Sequence, residues 1–282
     1  MRKNFKTWAA LAAAAAAIGM ISACGFGQSP APQAGGGKAA DVQAVIDAGV
    51  LKVGVKTDLP NFSLQNTATG EYEGFEDDLA YEMAGEIFGC TAQEARERDL
   101  VEFTGVTAKT RGPLIENGEL DMVIATFTIT DERKELYNFT TPYYTDAVGL
   151  MVLADSGIDS IGDLDGKVIG VAQGSTSEES FKAYVKEQGM DVEPVFETFD
   201  GYPALAAALA SKNIDVFSVD RAILSAYMDG TTRLLDERYA EQEYGVVTSL
   251  EDKGLAQVAE GVIQELSADG RLKNMLTEWG IK

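Results

Sequence analysis

The chain has 282 residues, a formal net charge of -22 and no histidine. So acidic a surface argues against nucleic acid, whose phosphates need a basic footprint, and against a basic membrane-binding face. The missing histidine removes His-based triads, imidazole metal sites and the usual pH switch, and no metal or cofactor is expected.

The first stretch, "MRKNFKTWAALAAAAAAIGMISAC", carries Arg2, Lys3 and Lys6 ahead of an apolar, Ala-rich run over residues 7–23. This is the layout of a secretory signal. "ISAC" resembles a bacterial lipobox, which implies cleavage before Cys24 and a lipid on that cysteine. A retained membrane helix fits less well, because the run is short and no stop-transfer charges follow. Loss of residues 1–23 would leave the remainder more acidic by three charges. Residues 24–40 then read as a lipidated flexible tether, rich in Gly, Ala, Pro and Gln with no apolar period. Cys90 would be the sole remaining cysteine, with no disulfide open to it, and reads as buried filler.

"LKVGVK" (51–56) predicts a strand with Leu51, Val53 and Val55 on one face. "DDLAYEMAGEIF" predicts a helix whose apolar face is Leu79, Met83 and Ile87 with Ala80, Ala84 and Phe88. "LVEFTGV" is a strand, and "PLIENG" a short helix begun by Pro113 and ended by Gly118. "LDMVIATF" is nearly continuous in apolar residues, as in a strand buried on both faces. Such alternation predicts an α/β protein with parallel sheets. After "TPYYTDAVGLMVLA" the pattern restarts. "KVIGVAQGS" (167–175) echoes "LKVGVKTD", and "ALASKNIDVFSVD" (208–220) echoes "LIENGELDMVIAT" (114–126). Two similarly built α/β lobes are expected, residues 41–145 with 246–282 and residues 146–245, with "AVGLMVLA" and "EYGVVTSL" crossing between them. A cleft between two such lobes is a favoured ligand site, and in parallel sheets the ligand lies beyond the carboxyl ends of the strands.

At those ends stand Lys56, Arg111 and Arg133. With Thr130 as N-cap, Arg133 falls at the third helical position, where a capping box places Glu or Gln. A cation there opposes the helix dipole by roughly 0.3–1 kcal/mol. Any one of the three is explained as a solvated surface charge; three at matching places suggest an anion site. Thr126 and Thr128 flank Phe127 on alternate positions. "QGSTSEE" offers Ser175, Thr176 and Ser177 at a strand-to-helix junction, where capping boxes ending at Glu178 and Glu179 are the competing explanation. Asp220 supplies the opposite charge and could equally cap the helix "RAILSAYM". Cations, one carboxylate and hydroxyls suit a ligand with two acidic groups and one ammonium, arginine preferring planar carboxylates. A cationic amino acid is not expected, because the first lobe offers no second carboxylate opposite the basic group.

"GFEDDLAYEMA" (74–84), "TFTITDERKELYNFTTPYY" and "GVAQGST" resemble, in that order, the solute-binding proteins of polar amino acid ABC importers, over residues from about 45 to the C-terminus. "GVKTDLPNFSLQNTATGEYEGFE", "AKTRGPLIENG" and "FDGYPALAAALASKNIDVFSVDRAIL" resemble the aspartate/glutamate-binding members. The resemblance implies a two-lobed type II periplasmic-binding-protein fold, each lobe a mixed, mostly parallel sheet flanked by helices and joined by two hinge segments. It implies that Arg133 clamps the ligand α-carboxylate with Thr128 and the junction Ser175, Thr176 and Ser177. Asp220, helped by Thr126, would accept from the α-ammonium. Lys56, Arg111 and Tyr202 would hold the side-chain carboxylate, and Phe62 would cover the apolar part. The 174–177 stretch departs from the small-residue pattern of acidic-ligand relatives, so which hydroxyl there meets the ligand stays open. Many glutamine- and basic-amino-acid binders carry an acid at the position of Lys56. The implied protein is a non-catalytic, monomeric lipoprotein on the extracytoplasmic face of the membrane, delivering glutamate or aspartate to ABC permease subunits. The alternatives are glutamine as ligand, or a dehydratase on the same scaffold.

Overall fold

The computed structural model describes residues 38–281; the signal segment, Cys24 and most of the tether lie outside them. In chain order the elements are α1 (Ala40–Ala48), β1 (Leu51–Val55), β2 (Asp58–Leu59), β3 (Ser63–Gln65), β4 (Tyr72–Glu73), α2 (Phe75–Phe88), α3 (Ala92–Glu97), β5 (Val101–Gly105), α4 (Arg111–Glu116), β6 (Met122–Val123), α5 (Asp131–Lys134) and β7 (Tyr137–Phe139). There follow β8 (Tyr144–Leu153), a 3-10 turn (Ile161–Leu164), β9 (Val168–Ala172), α6 (Ser177–Glu187), β10 (Val195–Phe199), α7 (Tyr202–Ala210), β11 (Val216–Asp220), α8 (Arg221–Tyr227), β12 (Thr232–Leu234) and β13 (Tyr239–Tyr244). The chain closes with β14 (Val247–Ser249), α9 (Lys253–Ala268) and α10 (Arg271–Glu278). None of the described helices is long and apolar enough to cross a membrane.

Two mixed sheets carry the fold. One has the order β5-β1-β6-β14-β7, the other β10-β9-β11-β8-β12 with β13 also on β8. β5-β1-β6 and β10-β9-β11 are the same parallel trio, each followed by an antiparallel strand. The echoed sequence has a physical basis at one aspartate per sheet. Asp121 accepts the N–H of Lys52 at 2.8 Å, and Asp215 accepts that of Val168 at 2.9 Å. In both halves the acid before the third strand ties down the start of the first.

Leu51, Val53 and Val55 are buried while Lys52 is exposed, as alternation requires. The expected apolar face of α2 is buried at Leu79, Ala80, Met83, Ala84 and Ile87; burying each large one contributes about 1.5–3 kcal/mol. Gly74 precedes this helix because a Cβ there would lie 2.1 Å from the carbonyl oxygen of Phe62. α9 packs against α1, α2 and the β7–β14 edge. Its first turn is capped remotely, with Asp41 accepting from the N–H groups of Gly254 and Leu255 at 2.7 and 3.0 Å.

Four local expectations are corrected. "LDMVIATF" is strand only over Met122–Val123, because Thr126 adopts φ 46° and turns the chain off the sheet. "AVGLMVLA" belongs to β8 up to Leu153; the chain passes between sheets at 140–143 and returns at 245–246. The helix assigned to "PLIENG" begins two residues earlier, so Arg111 is its first residue rather than a loop position. Cys90 packs against the core but is only half-buried.

A cluster of buried charges at the strand ends

β1 runs straight into Lys56, which is only 1% exposed. Its ammonium lies 3.7 Å from Asp58 Oδ1 and 4.3 Å from the centre of the Tyr202 ring. Burial pulls its pKa down to about 8, although Asp58 acts in the opposite direction. Arg111, 3% exposed, donates from Nη1 to the carbonyls of Ala125 and Thr126 at 2.6 and 2.9 Å. Its Nε is buried without a hydrogen-bond partner. Arg133 stands where the capping argument puts it: Thr130 accepts its N–H at 3.2 Å. Its guanidinium donates to Thr128 O at 2.8 Å and reaches Gly174 O, before α6, at 2.9 Å. The guanidinium carbons of Arg111 and Arg133 lie 4.0 and 4.9 Å from the centre of the Phe127 ring, contacts worth about 0.5–2 kcal/mol each. Burial, then the charge of Arg111, lowers the Arg133 pKa to about 10. No carboxylate forms an ion pair with either arginine among the described residues.

Asp220 ends β11, is 5% exposed and makes no capping bond to α8. Instead Tyr244 donates its hydroxyl to it. Burial raises the Asp220 pKa to about 7 against that hydrogen bond, and the charges of Arg111 and Arg133 reach it. Tyr202 is also buried and lies close enough to Arg111 to feel its charge, while Thr126 Oγ1 is buried without a hydrogen-bond partner. Phe62 packs edge-on to Tyr144 and Tyr244, with ring centres 5.6 and 6.3 Å away. The structure thus brings Lys56, Arg111, Thr126, Arg133, Tyr202 and Asp220 into one electrostatic neighbourhood beyond the strand ends.

The hydroxyls behave differently from the sequence expectation. Thr176 is the N-cap of α6 but its side chain makes no capping bond. Thr128 and Thr176 both donate to Gln242 Oε1, at 2.9 and 2.7 Å, so one amide from β13 joins the two junctions. Ser175 donates to Ser177 Oγ at 3.3 Å, and Ser177 is buried. The capping boxes proposed for this stretch do not form.

Sequence reasoning missed three residues here. Gln242 carries a signal, since Gln242, Tyr244 and Val246 are buried at alternate positions while Glu241 and Glu243 are exposed. Asp58 pairs with Lys56 two residues away. Glu76 is wholly buried and accepts at Oε1 from Thr126 N–H at 2.6 Å and Tyr143 OH at 2.5 Å. Asp58 and Glu76 overturn the expectation that no second carboxylate of the first half meets the cations. Acidic residues at the start of α2 look like dipole partners, yet Glu76 is spaced four and seven residues from Ala80 and Met83. That spacing puts it on the buried face. It also holds Thr126, a β-branched residue at positive φ, a conformation costing on the order of 1–3 kcal/mol.

Comparison with known proteins gives the family. The model of the bacterial extracellular solute-binding proteins, family 3, matches residues 51–282. A glutamine-binding protein of Geobacillus stearothermophilus is 34% identical over 260 residues, covering 88% of this chain and 94% of that protein. The glutamate-binding protein GluB of Corynebacterium glutamicum is 28% identical, covering 83% and 80%. An ancestral arginine-binding protein bound to arginine superposes with a TM-score of 0.69 at 28% identity, covering 82% of this chain and 98% of that one. With its two mixed sheets and the buried polar cluster at their strand ends, the chain belongs to the bacterial extracellular solute-binding proteins of family 3, non-catalytic receptors, and binds an amino acid for ABC import.

Proposed function

We propose that the amino acid is acidic, glutamate or aspartate. The observation that carries this reading is Arg111: a buried guanidinium with no carboxylate in contact and an unpaired Nε. A buried guanidinium with no carboxylate in ion-pair contact is costly, and a ligand carboxylate supplies that contact. In this reading Arg133 takes the α-carboxylate with Thr128 and the junction at Ser175, Thr176 and Ser177. Asp220 and Thr126 take the α-ammonium. Lys56, Arg111 and Tyr202 take the side-chain carboxylate, with Phe62 against the methylene carbons. The two sheets then belong to two lobes, 41–145 with 246–282 and 146–245, that close on the ligand about the crossings. Cys24 carries the lipid that holds the monomer outside the membrane beside its permease.

Glutamine is the second reading, favoured by one observation. The Lys56 ammonium, on which an acidic ligand would draw, already faces Asp58. The relative 34% identical to this chain is also named for glutamine. Calorimetric titration of residues 41–282 with glutamate, aspartate, glutamine and arginine tests the choice. Tight one-to-one binding of an acidic amino acid is expected, and equal or tighter binding of glutamine or arginine refutes it.

A further inference from the structure

Lys56, Arg111 and Arg133 share this neighbourhood with Asp58, Glu76 and Asp220, and the charges of Asp146 and Glu179 also reach it. A zwitterion with an amide side chain adds no net charge to it. A second ligand carboxylate adds one buried negative charge, which a low-dielectric interior opposes.

We propose that Glu76 is the proton-linked acid of the site: its carboxyl stays ionised around an amide ligand and takes up one proton when an acidic amino acid binds. The proposal rests on the acidic-ligand reading and adds how the fold tolerates the charge. Glu76 is the one acid of the three that is wholly buried. Both of its donors, Thr126 N–H and Tyr143 OH, serve Oε1, and buried Oε2 has no partner and can carry the proton. Asp58 is held by Lys56, and Asp220 must remain ionised to receive the ammonium. Around Glu76 stand Lys56 at the end of β1, Arg111 on α4, Tyr143 at the crossing and Asp77 beside it on α2. Burial already raises the Glu76 pKa, against its hydrogen bonds and the charges of Lys56 and Arg111. A ligand carboxylate placed on Arg111 offsets one of those stabilising charges and raises the pKa further. The balance is one proton from solvent bound at Glu76 for each acidic ligand captured.

The test is calorimetry in two buffers of different ionisation enthalpy, at pH 7, with glutamate and with glutamine. Changes at Asp220 are common to both ligands and cancel in the difference. Glutamate is expected to bind with one proton more than glutamine, and its affinity relative to glutamine to fall up to tenfold per pH unit as pH rises. Glu76→Gln removes the difference, and Asp77→Asn keeps it. An equal proton count for the two ligands in the unmodified protein overturns the proposal. So does a difference that survives Glu76→Gln, or one lost in Asp77→Asn. If Glu76→Gln does not fold, the proton count and pH slope of the unmodified protein decide the matter. Glutamine binding with no heat from glutamate overturns the ligand reading itself, a failure distinct from equal proton counts.

Discussion

Replacing Arg111 with methionine keeps most of the side chain's volume and removes its charge. In the free protein the carbonyls of Ala125 and Thr126 lose their donor, at about 1–3 kcal/mol each when buried. Against this stands relief from holding a cation in the interior. A net loss of about 2 kcal/mol is expected, or roughly 4–8 °C in Tm for a domain of this size. Binding responds more selectively. A ligand carboxylate left buried without its cation costs about 3 kcal/mol, which is roughly a hundredfold in affinity. An amide loses one ordinary hydrogen bond, about 1 kcal/mol or roughly fivefold. Selectivity should therefore move about twentyfold towards glutamine. Titration of Arg111→Met with glutamate and glutamine, alongside thermal melts, reads all three quantities. Equal losses for the two ligands would show that Arg111 does not face the side-chain carboxylate.

Asp220→Asn should stabilise the ligand-free protein at pH 8 and hardly at all at pH 3. Burial raises the folded pKa of Asp220 to about 7, so the folded state binds a proton that the unfolded state releases, and stability falls as pH rises from about 4 to 7. Thermal melts across that window check the gain, and the same variant should bind no amino acid. Gly174 has φ 80°, and a Cβ there would lie 2.8 Å from Ala108 O; Gly174→Ala should weaken every amino acid together and leave the liganded protein more extended in solution scattering. Gln242→Ala leaves the Thr128 and Thr176 hydroxyls without their shared acceptor. It should cost about 1–2 kcal/mol of affinity without changing the order of preference, and a changed order would place Gln242 against the ligand side chain.

The sheets were readable because period and repeat act locally. Leu51, Val53 and Val55 alternate, α2 shows its apolar stripe, and the "ELD" and "NID" echoes mark equivalent turns. The N-cap at Thr130 and the odd place of Arg133 were equally legible, since both follow from a single helical turn. What stayed hidden depended on side chains distant in sequence. Gln242 meets Thr128 and Thr176 across 114 and 66 positions, and no capping rule anticipates that their hydroxyls would be drawn away from α6. Glu76 was missed for a different reason. An acid at a helix start has a sufficient explanation in the dipole, and that hides its place on the buried face.

The most direct measurement is the competition between glutamate and glutamine for the unmodified protein at pH 7, read by calorimetry. The account expects glutamate or aspartate to displace glutamine at equal concentration, because Arg111 has no carboxylate in ion-pair contact and an acidic side chain supplies one. Glutamine holding the site against both acids would contradict it and assign the Lys56–Asp58 pair to recognition of an amide.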